Sequence, residues 1–257
     1  MCLKPKKSLG QHFLIDPNIK RKIISNLELK ITDKILEIGS GQGELTLLIA
    51  PLVSQIYALE IDPKLCKVLK ENLKDYKNVR VIQKDILKFN FKNITKKIRI
   101  IGNIPYYITS PIIEHLIKYR QKIKDIYLTV QKDFAQRITA VSGSKAYGAF
   151  SIFVQYYTKP KILFTIKKTC FYPQPKVDSC FLKLLIRKNP AVVTKNENLF
   201  FRIVRKSFKQ RRKTLRNSLA GLVAEKKLRI FFDKYGINPN IRPECLSLED
   251  FAHLVNL

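Results

Sequence analysis

The stretch Gly102-Asn103-Ile104-Pro105-Tyr106-Tyr107 sets a carboxamide, a rigid proline and an aromatic ring within a few positions of one another. It follows the run Lys97–Ile101, which reads as a buried strand, and precedes Ile108–Tyr119, which reads as a helix capped near Thr109 or Ser110. In an open α/β sheet, ligands bind at the carboxyl ends of the strands, so a turn of this kind faces the cleft. There it offers hydrogen-bond acceptors to an amine and a flat face to a planar base. A turn whose tyrosines are core is the competing reading. The rest of the chain weighs between them.

Three earlier strand ends also carry residues that could do chemistry. The segment Asp33–Glu37 reads as a strand and runs into Glu37-Ile38-Gly39-Ser40-Gly41-Gln42-Gly43, which opens a helix over Glu44–Leu52. Glycines after a strand let the backbone turn sharply and approach a ligand closely. The spacing is Gly-x-Gly-x-Gly, not the Gly-x-Gly-x-x-Gly of dinucleotide sites. Strand Gln55–Leu59 ends in Glu60-Ile61-Asp62, and Glu60 lies about 20 residues beyond the glycines, where an acid can bind ribose hydroxyls. Strand Val79–Gln83 ends in Lys84-Asp85-Ile86, and Asp85 could accept a hydrogen bond from an exocyclic amine. A solvated acid at a strand end looks the same in isolation. Taken in order, the four strand ends describe one cleft shaped for an adenosine-containing cofactor beside a second planar group.

The remaining elements must hold that cleft. Asp16-Pro17 is a good helix start, with Ile19, Ile23, Ile24 and Leu27 at helical spacing behind it. A fifth strand is expected at Ile126–Val130, a helix near Lys132–Ala140, a loop over 141–146 and an apolar helix over Gly148–Tyr157. Two more strands follow at Lys161–Ile166 and Cys180–Ile186, separated by Cys170–Ser179, whose two prolines hold the chain extended. That segment could place Phe171 at the cleft mouth, where a second aromatic would sandwich a base; packing on the sheet edge is the alternative. The composition shifts near Arg187–Thr194. The expected division is therefore an α/β domain over 1–187, preceded by a basic N-terminal segment, and a small all-α domain over 188–257.

Bulk properties narrow the function class. The chain has 257 residues and is 46% hydrophobic, enough for a real core. No apolar run reaches the length of a membrane span, and Met1-Cys2-Leu3-Lys4-Pro5-Lys6-Lys7 lacks the apolar stretch of a secretory signal. Five widely spaced cysteines without a Cys-x-x-Cys pair, and only three histidines, argue against a disulfide framework or a zinc site. A reduced, cytoplasmic compartment fits. Lys plus Arg number 49 against 20 acids, a formal net charge of +29, which points to a polyanionic partner. A lysine-rich proteome would give the same excess, but it explains clustering less well. Around the apolar stripe Phe201, Val204, Phe208, Leu215, Leu219 and Leu222 stand Arg202, Arg205, Lys206, Lys209, Arg211, Arg212, Lys213 and Arg216, with no acid between Arg202 and Arg216. An ordinary solvated helix face mixes signs, so this reads as a phosphate-binding surface.

At this point the chain resembles the bacterial small-subunit rRNA adenine dimethyltransferases, within the wider family of rRNA adenine N6-methyltransferases. The motifs appear in order: Leu9-Gly10-Gln11-His12-Phe13-Leu14, the glycine loop from Glu37, Glu60-Ile61-Asp62, Asp85, Asn103–Tyr106, and Lys145-Ala146-Tyr147-Gly148. Phe171-x-Pro173-x-Pro175-Lys176-Val177-Asp178-Ser179 and Gln210–Leu219 complete the set. The resemblance implies a Rossmann-like fold and S-adenosylmethionine as methyl donor. His12 and Leu14 are expected to contact the donor, with Gly39 and Gly41 at the loop, Glu60 on the ribose, Asp85 at the adenine and Asn103 nearby. If the family admits either Asn or His at position 12, the backbone there matters more than the side chain. The implied substrate is small-subunit rRNA, in which two adjacent adenines of the 3′-terminal hairpin are dimethylated at N6 during subunit assembly. Asn103, Ile104, Pro105 and Tyr106 would form the catalytic turn, Tyr106 and Phe171 would stack the base, and no metal would take part. A monomer is expected for the free protein.

Other classes leave different marks. A sister enzyme acting on large-subunit rRNA shares the cleft but matches Lys145–Gly148 and Gln210–Leu219 less well. A non-catalytic assembly factor has no use for an intact Asn103–Tyr106 turn. A nicotinamide-dependent dehydrogenase calls for a different glycine spacing and a catalytic His or Tyr-Lys pair.

Overall fold

The computed structural model describes Lys6, Leu9–Gln210 and Arg212–Leu257. Its strands are β1 (Phe13–Leu14), β2 (Lys34–Ile38), β3 (Gln55–Glu60), β4 (Val79–Gln83), β5 (Ile98–Asn103), β6 (Ile123–Gln131), β7 (Thr158–Ile166), β8 (Phe171–Tyr172) and β9 (Ser179–Ile186). Its helices are α1 (Pro17–Asn26), α2 (Glu44–Ile49), α3 (Pro63–Asn72), α4 (Thr109–Lys118), α5 (Lys132–Thr139), α6 (Ala149–Tyr157), α7 (Glu197–Phe208), α8 (Leu215–Leu219), α9 (Glu225–Tyr235) and α10 (Leu248–Asn256). Two compact units form: residues to Ala135 with Lys161–Ile186, and Gln136–Pro160 with Arg187–Leu257.

The first unit carries a seven-stranded sheet in the order β4-β3-β2-β5-β6-β9-β7. Strands β2 to β6 run parallel, and β9 pairs antiparallel with β6. Parallel strands are buried on both faces and read as continuous apolar runs; Ile98–Ile101 and Ile126–Val130 lie wholly in the core. From β2 the chain winds outward through β3 and β4, then returns to lay β5 on the other side of β2. That reversal is the switch point at which such sheets bind ligands. It sets the turn after β2 beside the end of β5, with Ile38 opposite Gly102.

Two helices use the same start. Asp16 caps α1 by accepting from the Asn18 and Ile19 amides, and Asp62 caps α3 by accepting from Lys64, each with a proline in the first turn. Ile23 and Leu27 of the α1 segment and Leu69 and Leu73 of the α3 segment pack with Ile35, Ile56, Ala58 and Ile101 in one apolar cluster. A second, two-residue pairing of β1 with β8 aligns Leu14 with Phe171 and Phe13 with Tyr172.

At the amino ends of the strands sits a buried charge cluster. Arg99 Nη1 donates to Asp33 at 2.8 Å, and its Nε and Nη2 donate to Asp125 at 2.8 and 3.0 Å. The remaining Nη2 bonds go to the Leu27 carbonyl and the Tyr127 hydroxyl. Burial works against the guanidinium, yet Asp125 and Asp33 outweigh it and hold Arg99 more basic than usual. Burial likewise works against the Asp33 charge, and the Lys30 amide and Arg99 outweigh it, leaving Asp33 below the ordinary carboxylate range.

The second unit is mainly helical and takes in Gln136–Pro160 besides Arg187–Leu257, whereas the boundary expected from the sequence at 187 leaves that segment in the α/β domain. The reason is aromatic. Tyr156 of α6 meets Phe200 and Phe201 of α7 with ring centroids 5.1 Å apart in both pairs, and the Tyr157 hydroxyl donates to Glu197 at 2.6 Å. The α6 aromatics find partners on α7, so their segment belongs with the helices.

Candidate active site

The glycine turn after β2 is built by its backbone. The Gly39 and Ser40 amides donate to the Leu59 carbonyl at 2.8 and 3.1 Å, which folds the chain back over β3. Gly41 takes a φ of +59°, and its amide donates to Glu60 Oε2 at 2.9 Å. A side chain at Gly41 would be strained by that φ and would crowd the Phe13 ring at 3.2 Å. Gly43, at φ +90°, leads into α2 with Leu69 only 2.8 Å from where a Cβ would stand, so both positions require glycine.

Glu60 therefore has a second task besides any ligand. Its Oε1 accepts from the Ile61 and Asp62 amides, and its Oε2 accepts from Gly41. Of the roughly four acceptor positions on a carboxylate, three are used, and one remains for a hydroxyl. Asp85 accepts from the Leu87 amide with one oxygen and leaves its other oxygen unpartnered among the described residues. Beneath the turn, Glu37 is fully buried and accepts from the Thr46 hydroxyl at 2.5 Å. Burial pushes its pKa up to about 7, against the Thr46 and Ser40 hydrogen bonds and with the help of the Glu60 charge.

The Asn103 carboxamide is oriented by a main-chain contact. Its Nδ2 donates to the His12 carbonyl at 2.7 Å. Only the NH2 end can make that bond, so Oδ1 is turned elsewhere and accepts nothing from the described residues. The Ile104 carbonyl, one residue on, is also unbonded among them. Two acceptors therefore stand open on adjacent residues. Pro105 holds extended backbone at φ −60°, and a short turn over Tyr106–Ile108 passes into α4.

Tyr106 is pinned at two places. Its hydroxyl lies 2.6 Å from Ser179 Oγ, and its ring stacks on the His12 imidazole at 5.7 Å between centroids and 19° between planes. Burial pushes the phenol above its ordinary pKa, and the Ser179 bond works the other way. His12 Nδ1 lies 2.6 Å from the Pro173 carbonyl; since a carbonyl only accepts, Nδ1 carries the proton.

One cavity of about 760 Å³, mouth included, gathers these residues: Gly39, Gly41, Glu60, Asp85, His12 and Asn103–Tyr106 all line it. Drug-sized sites span roughly 300–1,000 Å³. Ile38, Leu59, Ile61, Ile86 and Ile112 supply its apolar wall. Leu14 is buried and lines an adjoining cavity behind the glycine turn, shared with Gly39, Gly41 and Asn103. A third hollow beside it is bounded by His12, Tyr106, Gln131 and the Pro173–Lys176 loop.

One expected site residue is corrected. Phe171 does not stand at the cleft mouth; it is 2% exposed, set by its pairing with Leu14 into the apolar cluster that holds Ile23 and Phe181. Strand alternation turns Tyr172 outward instead, at 57% exposure. The aromatic partner of Tyr106 is His12.

The basic cluster of the helical unit is also narrower than its sequence. Arg202, Arg205, Lys209, Arg212 and Lys213 are exposed and have no partner among the described residues. Lys206 donates to the Ala220 carbonyl, and Arg216 pairs with Glu225 at 2.5 Å. Arg211 lies outside the described residues.

Sequence reading missed Glu37, Gln131 and Ser179 as site residues. Ser179 closes the Pro-Lys-Val-Asp-Ser string, and its distance in sequence from Tyr106 hides the contact. Within the chain His12 uses both its backbone, which accepts from Asn103, and its ring, which stacks on Tyr106.

A parallel sheet with a glycine turn at its switch point, acids on the next two strand ends and an Asn-Ile-Pro-Tyr turn on the fourth defines an S-adenosylmethionine-dependent methyltransferase fold. Comparison with known proteins makes the assignment narrower. The family model described as ribosomal RNA adenine dimethylase matches residues 2–257. A Streptococcus pneumoniae protein named ribosomal RNA small subunit methyltransferase A is 42% identical over 98% of this chain and 91% of its own. The crystal structure of a dimethyladenosine transferase from Plasmodium falciparum superposes with a TM-score of 0.82 at 28% identity, covering 94% of this chain and 95% of that one. The structure of the 23S rRNA methyltransferase ErmE shares the fold, with a TM-score of 0.78 at 24% identity over 95% of this chain and 98% of its own. The chain belongs to the ribosomal RNA adenine dimethylase family.

Proposed function

We propose that this protein transfers methyl groups from S-adenosylmethionine to the N6 amines of two adjacent adenines in the 3′-terminal hairpin of small-subunit rRNA. The observation that carries the reading is the Asn103 carboxamide, held by the His12 carbonyl so that its oxygen is free beside the free Ile104 carbonyl. The residues present suit the donor. The remaining Glu60 acceptor position suits a ribose hydroxyl, the free Asp85 oxygen suits an adenine amine, and the isoleucine-rich wall suits the ring. When bound, S-adenosylmethionine supplies an electrophilic sulfonium methyl.

The chain's own work is positioning. Adenine's exocyclic amine is a poor nucleophile because its lone pair is delocalised into the ring. Two acceptors, Asn103 Oδ1 and the Ile104 carbonyl, draw its two N–H bonds out of the ring plane and restore the lone pair. Tyr106 supplies a stacking face, and Pro105 fixes the turn between acceptors and ring. The catalysis rests on orientation and preorganised dipoles, with no dedicated general base. A target base must leave its stack to reach the cleft, which single-stranded RNA loops allow most readily.

Arg202, Arg205, Lys209, Arg212 and Lys213 are assigned to RNA phosphates, with Arg211 between them in sequence. The partner is rRNA within an immature small subunit, the free protein is a monomer, and the compartment is the cytoplasm. Among the described residues no helix is long and apolar enough to cross a membrane. The test is transfer of labelled methyl groups to unmodified small subunits, with large subunits and adenine-containing DNA alongside and products identified as nucleosides by mass spectrometry. Dimethyladenosine in small-subunit RNA alone is expected. Product in large-subunit RNA, or tight binding without product, contradicts the reading.

A further inference from the structure

We propose that Ser179 is the positioning residue of the catalytic turn, fixing the Tyr106 ring through a buried hydroxyl pair; this deepens the reading above and rests on it. The Tyr106 hydroxyl and Ser179 Oγ lie 2.6 Å apart, and Ser179 is fully buried. Ser179 is placed by the sheet rather than by a loop. It is the first residue of β9, aligned with Gln131 of β6, and β6 in turn aligns Thr129 with Asn103 of β5. The acceptor on Asn103 and the pin on Tyr106 are thus referenced to neighbouring strands of one rigid sheet.

A tyrosine side chain chooses among staggered wells at its first torsion, and its hydroxyl oxygen lies on the ring's own axis, so a bond at that oxygen fixes where the axis points. In this turn the two restraints act on different parts of the ring. Ser179 fixes the hydroxyl end, and His12 covers a face while its Nδ1–H holds the Pro173 carbonyl at 2.6 Å. Pro173 and Ser179 are the two ends of the loop that bounds the hollow beside Tyr106. The loop is therefore held at one end through His12 and runs at the other into Ser179 of the sheet. A phenylalanine at position 106 would give the same stacking face but no pin. That difference explains a need for tyrosine in a reaction that uses no phenolic proton.

A buried tyrosine hydroxyl finds a partner in many proteins for stability alone, so the test must separate orientation from folding. Methyl transfer in a single turnover is measured for Ser179→Ala, Tyr106→Phe and the double variant, together with S-adenosylmethionine binding and thermal unfolding. Each single variant is expected to slow transfer about tenfold while binding the methyl donor as the parent does. The double variant is expected to be no slower than the slower single one, because both remove the same contact. Ser179→Cys, of similar size with a weaker donor, is expected to fall between. Ser179→Ala at the parental rate, or singles whose losses multiply in the double, overturns the proposal. Should the parent protein transfer no methyl group, the functional reading fails, and the orientation of the Tyr106 side chain still decides this one. With carbon-13 tyrosine, the Tyr106 side chain, identified by its loss in Tyr106→Phe, is expected to hold one first-torsion rotamer in the parent and to average between rotamers in Ser179→Ala, read from its three-bond couplings. The same couplings in the two proteins overturn the pin.

Discussion

The two ends of the parallel sheet are built to opposite rules. At the amino ends, Arg99 meets Asp33, Asp125, the Leu27 carbonyl and the Tyr127 hydroxyl, so that every charge is answered from within the chain. At the carboxyl ends, Asn103, Ile104 and Asp85 each keep an acceptor that nothing among the described residues uses. The same strands supply both edges: Arg99 and Asn103 are both on β5. Closed polar networks fix a structure, whereas open ones wait for a ligand. The difference marks the carboxyl edge as the candidate site without reference to any relative.

The largest effect that would break this comparison lies at the closed edge. Arg99→Ala leaves buried Asp125 without its cation and Asp33 with only Lys124 at 3.5 Å, and is expected to cost about 3–5 kcal/mol of stability, read as a large fall in the denaturant midpoint. The surviving folded fraction is expected to bind S-adenosylmethionine as before. A variant of unchanged stability would show the amino-edge cluster to be dispensable.

Glu37 sharpens the contrast because it is a buried acid at the open edge with no cation. Its pKa of about 7 in the folded state lies above that of an exposed glutamate. The folded state therefore holds a proton that the unfolded chain has lost. The protonated carboxyl keeps its full stability below the unfolded pKa, near 4.5, and that stability fades as pH rises through about 7. The difference is worth about 3 kcal/mol across that window. Glu37→Gln removes the ionisation, so its stability relative to the parent should improve on going from pH 5 to pH 8. A difference between the two proteins that is flat across that window contradicts the burial argument.

A smaller effect is expected in the helical unit, whose exposed cations resemble the open edge in lacking partners. Replacing Arg205, Lys209, Arg212 and Lys213 with alanine should weaken rRNA binding and reduce its salt dependence. For single-stranded RNA, each lost phosphate contact should lower the slope of log affinity against log salt by about 0.7. The same change at Lys206 and Arg216 should do less, since those side chains already hold Ala220 and Glu225. An equal loss from both sets would mean that internal pairing does not decide which cations meet RNA.

The open edge was legible in the sequence because each of its parts is local. A glycine turn, an acid and an Asn-Ile-Pro-Tyr turn are read from neighbouring residues, and the parallel order of strands turns four local signals into one cleft. The closed edge was not legible. Arg99 stands 66 positions from Asp33 and 26 from Asp125, and nothing in a single sequence pairs them. Phe171 was misplaced for a related reason. A two-residue strand is too short to show a period, so only its pairing with Leu14 reveals which of Phe171 and Tyr172 turns inward. The segment 136–160 was placed in the α/β domain because Gly148–Tyr157 looks like any apolar helix, and its aromatic partners Phe200 and Phe201 lie far along the chain.

The most direct test of the open-edge account is single-turnover methyl transfer by Asn103→Ala to unmodified small ribosomal subunits, measured on protein shown to unfold at the parental midpoint and to bind the subunit. The account predicts a loss of a hundredfold or more in rate, the scale on which removal of one preorganised polar group acts, with stability within about 1 kcal/mol of the parent. Transfer at the parental rate would contradict it, and would mean that the free oxygen on Asn103 is not what holds the amine.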